Sequence, residues 1–251
     1  MKGELGNTIK RFLLWCFLFF VPMVIGYVVG SSLSIDAVMS WSVLLGSMLV
    51  VFIFLGKRYV QLTLGRIEKR GIWFVTGISV LVAVAGLLAL MSGNVLFGVG
   101  RMEDGVPMNN ESGRYFGGVA GVLFGSLFGP VAEEIGFRGV LLGGLLKTRS
   151  RPWLAILISA LVFASFHGFE FFVSAMLFGI IVGWLYYRTG SLIPGIITHV
   201  VNNSLSFIDL SGQSHATVMV IFVGSLLLLV LGLWQFGKKF GFVSDPEIYT
   251  G

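Results

Sequence analysis

Two adjacent carboxylates and an arginine interrupt a long apolar stretch of this sequence. Glu133, Glu134 and Arg138 are the only charged residues between Phe116 and Leu146. In a bilayer each such charge costs about 2.5–3.5 kcal/mol on insertion scales, so charges of this kind are usually functional. A carboxylate held in such a setting can act as a general base and activate water for hydrolysis. The stretch therefore indicates a hydrolytic site at membrane depth.

The spacing of the three charges predicts unequal roles. Glu134 and Arg138 are four residues apart, so they share a helix face and can form an ion pair. Glu133 points about 100° away from its neighbour and can face another helix. The simpler interpretation is that all three residues only hold a helix bundle together.

Two histidines supply further candidate groups. His167 ends an aromatic-rich segment, and His199 is followed four residues later by Asn203 on the same predicted helix face. Taken singly, such residues are more typical of a packed core or of a hydrogen bond between helices. The third histidine, His215, lies at the edge of the last apolar run and is predicted to be a surface residue.

The predicted depths of these residues in the membrane agree. At 1.5 Å per residue, Glu133 lies about 20 Å from the cytoplasmic end of its run at Leu146, and His167 about 21 Å from Trp153. His199 lies about 12–16 Å from the corresponding boundary. A glutamate and two histidines at similar depth suit peptide hydrolysis, which needs a base for water, donors for the oxyanion and an acid for the leaving amine. The same residues could instead bind zinc with a water in the fourth position.

The composition predicts that helices in a membrane position these groups. The chain has 251 residues, 56% apolar and 12% charged, with a mean hydropathy of +0.93. Soluble domains carry about 25% charged residues, so this is the profile of a polytopic membrane protein. The net charge of +5 is not evidence for a nucleic-acid partner. Cys16 is the only cysteine, which excludes an intramolecular disulfide, and we interpret it as an apolar core residue.

Apolar windows predict an all-α protein of about eight transmembrane helices with the active site inside the bundle. We treat residues 1–251 as a single membrane domain. Residues 1–115 hold three spans without motifs and an outer loop, residues 116–209 the catalytic core helices, and residues 210–251 the last span and a cytoplasmic tail. The predicted spans are Phe12–Val29, Ala37–Leu55, Ile72–Met91, Phe116–Leu146, Trp153–Gly168, Phe171–Tyr187, Leu192–Ile208 and Val218–Phe236. The fourth is too long for a simple crossing and should tilt, kink at Pro130 or run along the cytoplasmic face.

The distribution of basic residues predicts the orientation of the chain. With eight spans and a cytoplasmic N-terminus, only Arg101 and Arg114 fall outside, whereas fourteen lysines and arginines fall inside. This is a clear positive-inside bias. We therefore expect an integral protein of a bacterial cell membrane with both termini in the cytoplasm.

Four motifs in order resemble the CAAX-protease and bacteriocin-processing family, which includes the type II CAAX prenyl endopeptidases and bacterial Abi proteins. Glu133–Arg138 matches its motif of two glutamates, three residues and arginine. Phe163–His167 matches phenylalanine, three residues and histidine, and His199–Asn203 matches the closing histidine and asparagine. Phe178–Leu192 resembles the approach to that last motif, and the resemblance covers residues 117–205.

The resemblance implies roles for the matching residues. Glu133 and His167 would activate water, and His199 and Asn203 would bind the oxyanion or the substrate carbonyl. The Glu134–Arg138 pair would support the helix and the electrostatics of Glu133. Members of the family have been described as metalloproteases and as metal-independent glutamate proteases. The cofactor is therefore either none or one divalent metal, with zinc favoured and Glu133, His167 and His199 as its ligands.

These observations predict an intramembrane endopeptidase that cleaves a peptide or protein in the lipid bilayer. Candidate substrates are a prenylated peptide, a bacteriocin or pheromone leader, or another membrane peptide, with a leader or signalling peptide preferred for a bacterial source. Two other functions stay open at this point. One is a non-catalytic regulator or immunity protein on the same scaffold, and the other is a small proton-coupled transporter.

Overall fold

The described residues of the computed structural model form eight helical segments and no strand. The residues that the structure describes are 2–33, 37–97, 118–148, 151–169, 171–205, 210 and 212–241. The predicted all-α fold is confirmed. The helices are α1 (Lys2–Leu33), α2 (Ala37–Gly56), α3 (Ile72–Phe97), α4 (118–147), α5 (Pro152–Ser165), α6 (Phe172–Thr189), α7 (Ile193–Ser204) and α8 (His215–Phe240), with a short 3₁₀ turn at Lys69–Gly71.

Six of these helices are long and apolar enough to cross a membrane, namely α1, α2, α3, α4, α6 and α8. Helices α5 and α7, with 14 and 12 residues, are shorter than the spans predicted there. They measure about 21 and 18 Å, against about 30 Å of hydrocarbon. Residues 206–208 of the predicted seventh span and residues 98–115 of the predicted outer loop Ser92–Tyr115 lie outside the described residues, whereas Ser92–Phe97 continue α3. These six helices indicate an integral membrane protein. The orientation of the chain in the membrane stays a prediction.

Helix α4 changes its hydrogen-bonding pattern four times along its length. Gly118–Leu123, Gly129–Glu134 and Gly143–Lys147 are α-helical, whereas Phe124–Phe128 and Ile135–Leu142 are π-helical. The first π turn ends where Pro130 follows, and the Gly129 N–H donates to the Phe124 carbonyl five residues earlier. A proline lacks the N–H that continues an α-helical ladder, so a local change of pattern accommodates it. Single π turns of this kind often mark functional sites.

The chain divides into two compact units, residues 1–62 with 103–155 and residues 63–102 with 156–251. We refer to them as the first and second unit. In the first unit α1 packs against α2 and α4. At the α1–α4 contact, a Cβ added to Gly136 would lie 2.6 Å from the indole nitrogen of Trp15, and one added to Gly144 would lie 2.8 Å from the Cβ of Thr8. The two glycines thus allow a close approach of the helices, as small residues do in membrane proteins.

In the second unit α3 packs against α7 and α8. Its core contains the buried side chains Ile67, Val75, Leu185 and Phe236. Buried Arg188, in the last turn of α6, donates through Nη2 to the Phe240 carbonyl at the end of α8. This contact joins a cation to the electronegative end of a helix, an arrangement that stabilises both.

The segment before α3 is attached to the end of α6 by hydrogen bonds to the backbone. The Arg66 N–H donates to the Thr189 carbonyl at 2.7 Å, and the Ser191 hydroxyl donates to the Thr63 carbonyl at 2.6 Å. Gly65 lies between these contacts with φ of +57°, and a Cβ there would lie 2.8 Å from the carbonyl carbon of Gly190. Both the dihedral angle and the lack of space require glycine.

We expect Gly65→Ala to lower the free energy of unfolding by about 2 kcal/mol, because a left-handed conformation and a backbone clash are both forced on alanine. Thermal denaturation of the purified protein in detergent measures the change. The matched control is Gly77→Ala in α3, where an added methyl meets open space. Alanine there should be neutral or stabilise by up to about 1 kcal/mol. Equal effects of the two substitutions would contradict the conformational argument.

Candidate active site

The predicted ion pair on α4 is present in the first unit. Arg138 Nη1 lies 2.9 Å from Glu134 Oε1, and the two side chains are 1% and 0% exposed. The positive charge of Arg138 is attracted by Glu134 and, more weakly, by Glu133. Glu133 is half-buried on the same helix. The three residues therefore form one electrostatic cluster, where the sequence predicted a pair and a separate carboxylate.

The π-helical pattern explains why one arginine acts on both carboxylates. In an α-helix, residues five apart point about 140° away from each other. Arg138 lies within the π-helical part, in which the backbone pairs residues five apart rather than four. A π-helical turn places residues five apart nearer to a common face than an α-helical turn does, and Arg138 contacts Glu134. The sequence carries no clear signal for a π-helix, so this geometry was not predicted.

A tryptophan from α1 lies against the backbone that carries the two glutamates. The Trp15 indole N–H donates to the Ala132 carbonyl at 2.8 Å, and the side chain is 0% exposed. Its ring stacks on those of Phe12 and Phe19, with centroid distances of 5.4 and 5.0 Å, and meets Phe137 edge-on at 4.9 Å. The first three predicted spans carry no sequence motif. The only sequence signal for this contact is that the N–H of a buried tryptophan usually needs a hydrogen-bond acceptor.

His167 lies in the second unit, just after α5, in a defined tautomer. Its Nδ1 is 2.8 Å from the Phe163 carbonyl, and the two rings have centroids 4.2 Å apart. A carbonyl oxygen can only accept a hydrogen bond, so Nδ1 must carry the proton. In the neutral imidazole Nε2 then holds the lone pair, as a general base or a metal ligand requires.

His199 packs against the same phenylalanine. It is 3% exposed in α7, and its ring meets Phe163 edge-on at 5.8 Å and Phe178 at 4.8 Å between centroids. The second unit therefore brings His167 and His199 together around one aromatic ring. The sequence motifs contained Phe163 and Phe178, but they did not predict that the two rings would hold the histidines.

Asn203 lies on α7, four residues after His199, and is half-buried. Its Oδ1 accepts a hydrogen bond from Asn202 Nδ2 at 3.3 Å. The side-chain amide nitrogen of Asn203 carries two protons and can act as a hydrogen-bond donor. The Thr198 hydroxyl donates to the Ser79 carbonyl at 3.4 Å and attaches α7 to α3. His215 is exposed at the start of α8, as predicted.

Neither unit contains a complete metal site among its described residues. No three histidine, cysteine, aspartate or glutamate side chains within one unit are close enough to bind a single ion. The predicted ligands are divided, with Glu133 in the first unit and both histidines in the second. The Nδ1–H hydrogen bond of His167 to a backbone carbonyl is an orientation common among metal-binding histidines. The ring orientation of His167 is therefore compatible with a role as a metal ligand or as a general base.

We expect Arg138→Met to lower the free energy of unfolding by about 3–5 kcal/mol, because it leaves the buried Glu134 carboxylate uncompensated. The double variant Glu134→Gln/Arg138→Met should be less destabilised than Arg138→Met alone. Denaturation in detergent measures both. The control is Lys147→Met, an exposed position at the end of the same helix. If Arg138→Met lowers the free energy of unfolding no more than Lys147→Met does, the interpretation of a buried ion pair is contradicted.

Comparison with known families identifies the segment that holds these groups. Residues 116–205 match the model of the Rce1-like family, described as type II CAAX prenyl endopeptidase Rce1-like. The match covers a little over a third of the chain and includes Glu133, His167, His199 and Asn203. Comparisons with curated proteins and with solved structures give no match. Over residues 116–205 the chain is therefore similar to the type II CAAX prenyl endopeptidases.

Proposed function

We propose that the chain is an intramembrane endopeptidase in which Glu133 and His167 activate water for attack on a peptide bond. The observation that carries the proposal is the tautomer of His167, whose Nδ1–H donates to the Phe163 carbonyl. This hydrogen bond aligns the ring and leaves the basic nitrogen, Nε2, as the one with a lone pair. The family match supports a protease of this general type.

In this mechanism Glu133 would be the base for the attacking water, and Nε2 of His167 would accept a hydrogen bond from that water. Glu133 takes one proton from the water as the water oxygen attacks the carbonyl carbon of the peptide bond. His167 orients the water through a hydrogen bond. The tetrahedral intermediate then collapses, the C–N bond breaks and Glu133 returns the proton to the leaving amine. General acid–base catalysis of this kind contributes about 10²–10⁴-fold to the rate.

His199 and Asn203 would stabilise the oxyanion. The amide nitrogen of Asn203 carries two protons to donate, and its oxygen accepts from Asn202 Nδ2. His199 is held edge-on to Phe163 and Phe178, so its ring has little freedom to reorient. Donors that are fixed before the reaction stabilise developing charge most effectively. The Glu134–Arg138 pair would act indirectly, through the attraction of Arg138 for Glu133.

A zinc-dependent form of the same site would use Glu133, His167 and His199 as ligands. Zinc accepts histidine nitrogens and carboxylate oxygens, and the ring orientation of His167 is compatible with that role. When bound, zinc would lower the pKa of a coordinated water and polarise the substrate carbonyl. In that form Asn203 would remain a donor to the oxyanion.

The substrate would be a peptide or protein that reaches the site from the lipid bilayer. We propose that the protein lies in a bacterial cell membrane with both termini in the cytoplasm, in line with the positive-inside distribution of its basic residues. In that setting a leader or signalling peptide is the preferred substrate over a prenylated protein.

We expect Glu133→Gln to reduce peptide cleavage at least 10²-fold, because the amide keeps the size of the side chain but cannot take a proton. His167→Ala should have a comparable effect. Cleavage is measured by mass spectrometry in proteoliposomes, with a farnesylated C-terminal peptide and an unprenylated apolar leader peptide as probes. Peptides that accumulate in cells with the Glu133→Gln protein but not with the wild type would identify natural substrates.

The matched controls are Glu68→Gln and His215→Ala, which change an exposed glutamate and an exposed histidine. Both should retain wild-type cleavage. Cleavage of every peptide at the wild-type rate by folded Glu133→Gln protein would refute the proposed mechanism. Ion flux that depends on Glu133, without any cleavage, would favour a transporter instead.

Metal content separates the two forms of the mechanism. The zinc form requires about one zinc per chain by elemental analysis, loss of activity with a chelator, and less bound zinc in His167→Ala than in His215→Ala. The glutamate form requires full activity in metal-stripped protein. The zinc form is excluded if stripped wild-type protein cleaves the probe peptides at its original rate.

A further inference from the structure

Helix α1 contributes a contact to the part of α4 that holds Glu133. Trp15 donates its indole N–H to the carbonyl of Ala132, the residue directly before Glu133. The bond is 2.8 Å long, and both residues are fully buried. It therefore joins a helix without any family motif to the backbone of the proposed base.

The contact lies where α4 changes from α-helical to π-helical. Gly129–Glu134 is α-helical and Ile135–Leu142 is π-helical, so the pairing pattern changes immediately after the two glutamates. There the Ala132 carbonyl accepts from the Ile135 N–H three residues later, and its second lone pair can accept from a side chain. The indole N–H supplies a donor at this position from outside the helix.

The shape of the contact also restricts rotation of α4. A Cβ added to Gly136 would lie 2.5 Å from Cδ2 and 2.6 Å from Nε1 of Trp15, so the indole ring lies directly on the backbone there. Ala132 and Gly136 are four residues apart and share one helix face. Glu133 points about 100° from Ala132. Fixing the face of Ala132 and Gly136 therefore fixes the direction of Glu133.

The indole is itself held in one orientation. The rings of Phe12 and Phe19 stack on it with interplanar angles of 12° and 13°, and those of Phe20 and Phe137 meet it edge-on. Stacked and edge-on aromatic pairs stabilise by about 0.5–1.5 kcal/mol each beyond their buried area. A rigid support of this kind is what a catalytic group needs in order to keep its geometry.

We propose that Trp15 is a positioning residue of the protease. Its hydrogen bond to Ala132 and its packing on Gly136 hold the α-to-π junction of α4 in the one setting that aims Glu133 at the reacting water. The inference rests on the proposed role of Glu133 and extends the functional machinery to α1, outside the segment that matches the family. The side chain touches neither substrate nor water and acts only through α4.

The test compares turnover and substrate binding in Trp15→Phe, which keeps an aromatic ring but removes the N–H. We expect kcat per folded molecule to fall about tenfold with KM within twofold of the wild type, because small misplacements of a catalytic group mainly affect the chemical step. The probes are the farnesylated peptide and the apolar leader peptide in proteoliposomes. The control is Trp41→Phe on α2, a tryptophan of the same unit that is 58% exposed, which should keep both constants.

A second pair of variants probes the packing on Gly136. Gly136→Ala forces the indole and α4 apart and should also lower kcat, whereas Gly125→Ala on the same helix adds a methyl to open space. Because both act on one contact, the loss in Trp15→Phe/Gly136→Ala should be smaller than the product of the two single losses. A loss in kcat of the double variant equal to the product of the two single losses would overturn the proposal.

If Trp15→Phe does not fold, 3-benzothienylalanine at position 15 retains the bicyclic shape and replaces only the N–H with sulfur. A kcat within twofold of the wild type in folded protein that lacks the N–H would overturn the proposal. So would a fall in activity that merely equals the fall in folded protein. Either result leaves the proposed mechanism intact if Glu133→Gln is inactive, whereas an active Glu133→Gln protein refutes the mechanism itself.

Discussion

The first unit depends on the burial of Arg138 beside Glu134 inside the protein, where water does not compensate either charge. Removing one partner of a buried pair costs about 3–5 kcal/mol, whereas an intact pair adds little net stability. Such a cluster is therefore weak evidence for stability and better evidence for function. Arg138 keeps Glu134 compensated and also attracts Glu133. The ion pair thereby sets the electrostatic environment of the proposed base.

The backbone of α4 makes this arrangement possible. A regular α-helix would turn Glu133 well away from Arg138, whereas the π-helical stretch Ile135–Leu142 brings residues five apart towards a common face. At this change of pattern the Ala132 carbonyl accepts from the Ile135 N–H and has a lone pair for a second donor from outside the helix. Trp15 is such a donor, and the glycines at 136 and 144 let α1 approach closely enough to supply it. The N-terminal helix is thus part of the support of the acidic cluster.

The second unit uses aromatic rings for the same purpose. Phe163 contacts both histidines, through its carbonyl and ring for His167 and through its ring for His199. The hydrogen bond selects the tautomer of His167, and the edge contact with Phe178 restricts His199. In an apolar environment few polar partners are available, so backbone carbonyls and aromatic faces orient the imidazole rings. The two phenylalanines of the motifs thus have a physical role beyond spacing.

Residue types and spacing alone determined much of this protein. Eight apolar runs predicted eight helices, and the i,i+4 spacing of Glu134 and Arg138 predicted their ion pair, because both depend on local periodicity. The motifs predicted the family from Glu133, His167, His199 and Asn203. Tertiary structure decided the shorter lengths of α5 and α7, the π-helical stretches of α4, the tautomer of His167 and the contact of Trp15 with Ala132. The Trp15–Ala132 hydrogen bond joins residues 117 positions apart, which no local pattern encodes. The tautomer of His167 depends on a carbonyl only four residues earlier, but the backbone geometry after α5 ends sets that contact, and residue types and spacing do not specify it.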